Sequence, residues 1–158
     1  MNSLAQLLTS KEVLLDLDVR DQVALFDAVG QLLQKHHGLP AATVVDGLGA
    51  REQLGSTGLG EGVAIPHARI EGLLEARAAV VRVNVPIAFD APDGKPVAYF
   101  FVLLVPVQAT EQHLQILTNV AQLFADEQFR QQIDMAKSQD EMYRLFSTWT
   151  GSDLRKAA

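Results

Sequence analysis

The stretch VAYFFVLLV, residues 97–105, constrains the fold more than any other part of the chain. It carries no charge and no turn former, and it is rich in the β-branched and aromatic residues that favour strands. A membrane-crossing helix needs about 20 apolar residues, so this run is a core element. It also lacks the alternation of a strand with one wet face, and it therefore predicts a strand buried on both sides. Such a strand needs covering layers above and below it.

The rest of the sequence supplies those layers. Asp21 reads as a helix cap, Phe26, Val29, Leu32 and Leu33 follow at helical spacing, and Gly38 closes the segment. Pro40 suits the first turn of a second helix, with Val44, Val45 and Leu48 inward and an end near Arg51-Glu52. Residues 13–17 read equally as strand or loop. Gly55, Gly58, Gly60 and Gly62 predict a tight loop. A short strand is expected at 63–65, ended by Pro66. Residues 78–85 are β-rich, 87–89 form a separate extended piece, and 90–96 are a turn with Pro92, Asp93 and Gly94. Thr110 is a cap before Leu114, Leu117, Ala121 and Phe124, and Asp126 starts a further helix. Ser138 and Glu141 form an S-x-x-E capping box before the last one. The expected fold is a single-domain α/β sandwich over residues 1–150, a mixed sheet flanked by helices on both faces, with a loose tail at 151–158.

Composition narrows the function classes. Apolar residues are 48% of the 158 and charged residues 20%, which excludes a disordered chain. The net charge of −6 argues against nucleic acid as a partner. Without cysteine there are no disulfides and no thiolate chemistry. The first residues are too interrupted by polar groups for a signal peptide, and the longest apolar run is too short to insert in a membrane. A cytoplasmic protein is expected.

The candidate chemistry centres on GEGVAIPHARI, residues 60–70. A histidine held by a preceding proline at a strand end can present one ring nitrogen outward. A free imidazole titrates near about 6.5, and its neutral nitrogen is a nucleophile able to take a phosphoryl group. The glycines before His67 clear room for a tetrahedral anion and let backbone N–H groups approach it. Ser56 and Thr57 could add hydroxyl donors beside Gly58. An ordinary strand-end histidine bonded to a carbonyl explains the same residue equally well. His113 falls in the first turn of a helix, where anions are favoured, or is a solvated first-turn residue. Arg51 could neutralise phosphoryl charge, or could form a surface ion pair. His36 and His37 end the first helix, and no chemistry is assigned to them. No third ligand stands at zinc spacing from His67 or His113, so no metal is expected. The loop lacks the lysine of a nucleotide P-loop and precedes a strand rather than a helix.

Taken together, Arg51-Glu52, Leu54-Gly55-Ser56-Thr57-Gly58, Gly60, Gly62 and Ala64-Ile65-Pro66-His67 resemble the IIA domains of the fructose/mannitol class of the bacterial phosphotransferase system. PIAFDAPDGKPVAYFFVLLVP, residues 86–106, and His113-Leu114 with Leu117 and Ala121 are similar to the same family. The loop and the segment PIAFDAPDGKPV favour its nitrogen-regulatory branch. The resemblance implies that His67 is the phosphorylated residue, with His113 and Arg51 supporting it and Ser56, Thr57 and Gly58 lining the phosphate site. It implies an HPr-like phosphocarrier (NPr) as donor and no cofactor. It also implies potassium-transport proteins and sensor kinases as possible regulated partners. A sugar-specific IIA that hands phosphate to a IIB domain is the alternative. Ala68-Arg69 stand where many relatives have Gly-Lys, which keeps the basic character. Glu61 is expected to face solvent.

Overall fold

Strand β6 (Val97–Pro106) has neighbours along both edges, and its side chains feed two separate cores. Phe100, Val102 and Leu104 enter one core, and Phe101, Leu103 and Val105 enter the other. Strand β5 (Arg77–Ile87) alternates in the same way, with Ala79, Val81 and Val83 opposite Ala78 and Val80. The period of two in a strand places successive side chains on opposite faces, so an unbroken apolar run serves two layers at once. A fully buried Leu or Phe side chain contributes about 1.5–3 kcal/mol, so each of these buried residues adds to the stability of the layer it faces.

The computed structural model describes residues 2–151. Strand β1 (Val13–Leu17) runs parallel to β5, which settles the ambiguity at 13–17 in favour of a strand. Helices α1 (Gln22–His37) and α2 (Ala41–Leu54) cover one face of the sheet through Leu25, Phe26, Val29, Leu33, Val44 and Leu48. Asp21 caps α1 by accepting from the Ala24 N–H, and Gly38 ends it at φ 70°, a conformation that favours glycine. The other face is covered by α3 (Glu111–Ala125), α4 (Glu127–Met135) and α5 (Gln139–Thr148), through Val120, Leu123, Phe124, Phe129, Ile133, Met142 and Phe146. The result is a mixed six-stranded sheet with helices on both faces. No described helix is long and apolar enough to cross a membrane.

Several local expectations need correction. Residues 87–89 do not form a separate piece, since β5 runs through to Ile87 with a register shift between Arg82 and Ile87. Helix α2 continues to Leu54, past the expected end at Arg51-Glu52, and Pro40 is its cap rather than its first residue. The glycine-rich stretch contains a short strand, β2 (Gly58–Gly60), antiparallel to β3 (Val63–Ala64). Ser138 accepts from the Glu141 N–H as the capping box requires, but the Glu141 carboxylate accepts from the Lys137 N–H instead of closing the box. Gly151 is buried, and the rest of the expected tail lies outside the described residues.

Candidate functional site

The chain does not leave the sheet at Pro66. Strand β4 (His67–Ile70) pairs with β6 in parallel, and it keeps the register of β3: Val63 and Ala64 lie opposite Tyr99 and Phe100, His67 and Ala68 opposite Leu103 and Leu104. β3 and β4 are one line of chain interrupted at Ile65-Pro66, so His67 opens a strand instead of following one. Pro66 has no N–H to give, yet its carbonyl still accepts from the Leu103 N–H at 2.9 Å, so the ladder survives the proline. Ile65 faces the other way. Its N–H donates to the Thr57 carbonyl at 3.1 Å, and its own carbonyl lies 2.8 Å from His67 Nδ1.

That last contact fixes the chemistry of the ring. A carbonyl oxygen can only accept, so Nδ1 carries the proton, and the lone pair of the neutral imidazole is on Nε2. A bond to a carbonyl at one ring nitrogen and a free lone pair at the other are therefore compatible in the same residue and the same geometry. The ring is half-buried.

His113 has the opposite arrangement. It sits in the first turn of α3, and its Nδ1 accepts from the Thr110 N–H at 3.0 Å, which satisfies a helix-terminal donor. Its neutral ring therefore carries the proton on Nε2, as a donor. Arg51, in the last turn of α2, donates from Nη1 to the Gly55 carbonyl at 2.9 Å. His67, His113 and Arg51 line one cavity of about 570 Å³, together with Arg69, Leu54 and Leu114. A second cavity, about 340 Å³, adjoins it at Arg51 and His67, and Ser56, Thr57, Gly58 and Leu59 line it. All six residues singled out in the sequence thus line these two adjoining cavities.

The two loop hydroxyls differ from expectation. Thr57 is buried and donates its hydroxyl to Glu52 Oε1 at 2.6 Å. Ser56 donates to the Phe89 carbonyl and accepts from the Gly58 N–H at 3.0 Å. Their protons hold the loop rather than point into the cavity. Gly58 has a packing reason to be glycine, because a Cβ there would lie 3.0 Å from Ala91 Cβ and 3.1 Å from Ala91 Cα. Glu61 is exposed, as expected. Its N–H donates to Asp93, and the N–H groups of Glu61 and then Lys95 hold the Asp93 carboxyl below the usual range. Among the described residues, no group of three or more His, Cys, Asp or Glu could hold a metal ion.

Sequence reasoning quoted Glu52 but gave it no part. It is buried, and it takes both the Thr57 hydroxyl and, at 2.8 Å, the Thr57 N–H. The available signal was an acid five residues before a threonine, on either side of a glycine.

Known proteins resemble this chain over most of its length. The family model for the phosphoenolpyruvate-dependent sugar phosphotransferase system, EIIA 2, matches residues 6–149. A nitrogen regulatory protein of Pseudomonas aeruginosa is 36% identical over 148 residues, covering 92% of this chain and 95% of its own. The crystal structure of nitrogen regulatory protein IIA-Ntr from Neisseria meningitidis superposes with a TM-score of 0.86 at 41% identity, over 91% of this chain and 99% of that one. The mannitol IIA of Escherichia coli, solved in complex with phosphorylated mannitol IIB, shares the fold with a TM-score of 0.74 at 18% identity, over 90% of this chain and 98% of that one.

Proposed function

Because the chain belongs to the EIIA 2 family of the phosphoenolpyruvate-dependent sugar phosphotransferase system, and is of its nitrogen-regulatory IIA type, we propose that it accepts a phosphoryl group on His67 from an HPr-like carrier (NPr). In this reading the phosphorylation state of His67 then governs which partner proteins it binds.

The step is an in-line displacement. The Nε2 lone pair of His67 forms the new P–N bond as the P–N bond to the carrier's histidine breaks, and the carrier's nitrogen keeps that electron pair. The proton on Nδ1 stays where the Ile65 carbonyl holds it, so the ring takes up positive charge in the transition state next to a hydrogen-bond acceptor. The phosphoryl group passes through a loose, metaphosphate-like state, whose catalysis is mostly positioning and charge stabilisation. Arg51 and Arg69 supply positive charge, and the His113 Nε2–H supplies a donor. The observation that carries the reading is this pairing of tautomers on one cavity: a lone pair on His67 Nε2 and a proton on His113 Nε2.

The surroundings favour a protein donor. Leu54, Leu59 and Leu114 are exposed and rim the two cavities, and exposed apolar residues around a polar centre suit a docking face. A phosphoryl group adds about 1.5 to 2 negative charges at the middle of that face, which is enough to change its partners. Incubation with phosphoenolpyruvate, enzyme I and the carrier should add one phosphoryl mass, located on His67 by mass spectrometry. Label on a different residue, or none at all, would overturn the assignment. A sugar-specific role would instead show phosphate passing on to a IIB protein.

A further inference from the structure

Among the described residues two acids are buried, Glu12 and Glu52, and Glu52 lies next in sequence to Arg51. A buried carboxylate is costly unless fully bonded, so its bonds mark what the fold needs held. Glu52 holds Thr57 at two points: Oε2 accepts its N–H at 2.8 Å and Oε1 its hydroxyl at 2.6 Å. The Thr57 carbonyl in turn accepts the Ile65 N–H at 3.1 Å, and the Ile65 carbonyl takes His67 Nδ1 at 2.8 Å. The same short loop carries Gly55, whose carbonyl receives the Arg51 guanidinium at 2.9 Å and whose N–H returns to the Glu52 carbonyl at 3.2 Å. A continuous chain of hydrogen bonds therefore runs from the Glu52 carboxylate to the imidazole, and a side branch runs to the guanidinium.

We infer that Glu52 is a positioning residue for His67, acting through Thr57 and Ile65 to keep the proton on Nδ1 and the lone pair on Nε2. The inference rests on the reading of His67 as phosphoryl acceptor. An unconstrained neutral imidazole exchanges between two tautomers, and the hydrogen bond at one nitrogen decides which is populated. The Ile65 carbonyl can do this only while Ile65 is held against the loop. Ile65 is absent from the ladder to β6, where Pro66 makes the bond; its side chain packs in the core, and the Thr57 carbonyl is what holds its backbone N–H. Loosening Thr57 lets the carbonyl swing, the ring turn, and Nε2 take the proton, which blocks its lone pair.

The test reads the ring directly. Protein labelled with 15N in its histidine rings is examined at about pH 8, where a neutral imidazole predominates. The His67 signals are identified by their loss in His67→Gln. The wild-type chain and Thr57→Ser should show a protonated Nδ1 and an unprotonated Nε2. Glu52→Leu removes both acceptors of Thr57, and Thr57→Val removes the hydroxyl. Both should show mixed tautomers and accept the phosphoryl group roughly tenfold more slowly, the scale on which orienting partners of a histidine act. Folded Glu52→Leu and Thr57→Val proteins with the wild-type ring pattern would overturn the inference, as would a wild-type His67 protonated on Nε2. Should Glu52→Leu fail to fold, Thr57→Val against Thr57→Ser decides alone. If the wild-type chain accepts no phosphoryl group, the acceptor reading falls, while the tautomer pattern still judges what Glu52 does.

Discussion

At the scale of single residues, His67 and His113 carry the proton on different ring nitrogens, so their substitutions should fail differently. His67→Gln removes the proposed phosphoryl acceptor from a half-exposed position, so phosphoryl acceptance should vanish while the stability read from a urea titration changes by less than about 1 kcal/mol. His113→Ala removes the acceptor of the Thr110 N–H as well as the Nε2 donor. It should slow transfer without abolishing it and lower stability by about 1 kcal/mol, the usual value of a lost helix cap. A stopped-flow transfer assay beside a urea titration separates the two effects. That His67, His113 and Arg51 belong around one cavity was legible because each stands at a landmark the sequence declares: a proline, a helix cap, a helix end. Glu52 was not, because its part depends on being buried, and burial appears only once the loop has folded back on α2. The hydroxyls of Ser56 and Thr57 were readable as loop donors, but their acceptors, Phe89 and Glu52, come from other elements.

Elements show a second kind of legibility. Proline reads as the end of a strand because it lacks a donor, and that reading misses the carbonyl on its other side. Pro66 keeps the ladder to Leu103 through that carbonyl, and the interruption turns Ile65 away from β6, toward Thr57 and the imidazole. The break between β3 and β4 is therefore what aims the ring. The β2–β3 hairpin beside it tolerates little change: Gly58→Val would drive side-chain atoms into the Ala91 backbone, at a cost of about 1–3 kcal/mol. Chemical denaturation should show that loss together with weakened phosphoryl acceptance. Arg82 of β5 makes a useful contrast. Its Nη1 donates to the Ile133 and Ala136 carbonyls at 2.9 and 2.7 Å, closing the end of α4, and its Nη2 pairs with Asp16 at 3.1 Å. Arg82→Leu strands those carbonyls and should cost about 2 kcal/mol by calorimetry, leaving transfer to His67 intact. Neighbouring Tyr99 bonds the Asp134 carboxylate, and burial, then that bond, pushes its hydroxyl well above the usual phenol range.

At the scale of the molecule, the two-sided apolar run at 97–105 was enough to require the sheet and both helical layers, because only a covered sheet can bury both faces of one strand. Which strands flank it was not legible, since pairing order depends on connections rather than on local pattern. The same burial sets a pH dependence far from the site. Burial, reinforced by Arg77, holds the His37 imidazole below its ordinary value, against the pull of the Glu12 carboxylate 3.7 Å away, and His36 adds to the lowering. The unfolded chain then binds the proton more readily than the folded one. The stability His37 contributes is therefore full above about pH 6.5 and is lost as the pH falls below it. Urea midpoints between about pH 7.5 and 5.5 should fall less in His37→Gln than in the wild-type chain. The central claim is narrower than the fold: the Nε2 of His67 is the atom that receives phosphate. Its most direct test is a 15N spectrum of the ring after phosphorylation by the reconstituted carrier. The account predicts a phosphoryl group bonded to Nε2 of His67 with the proton still on Nδ1, and a phosphoryl group on Nδ1 or on another residue would contradict it.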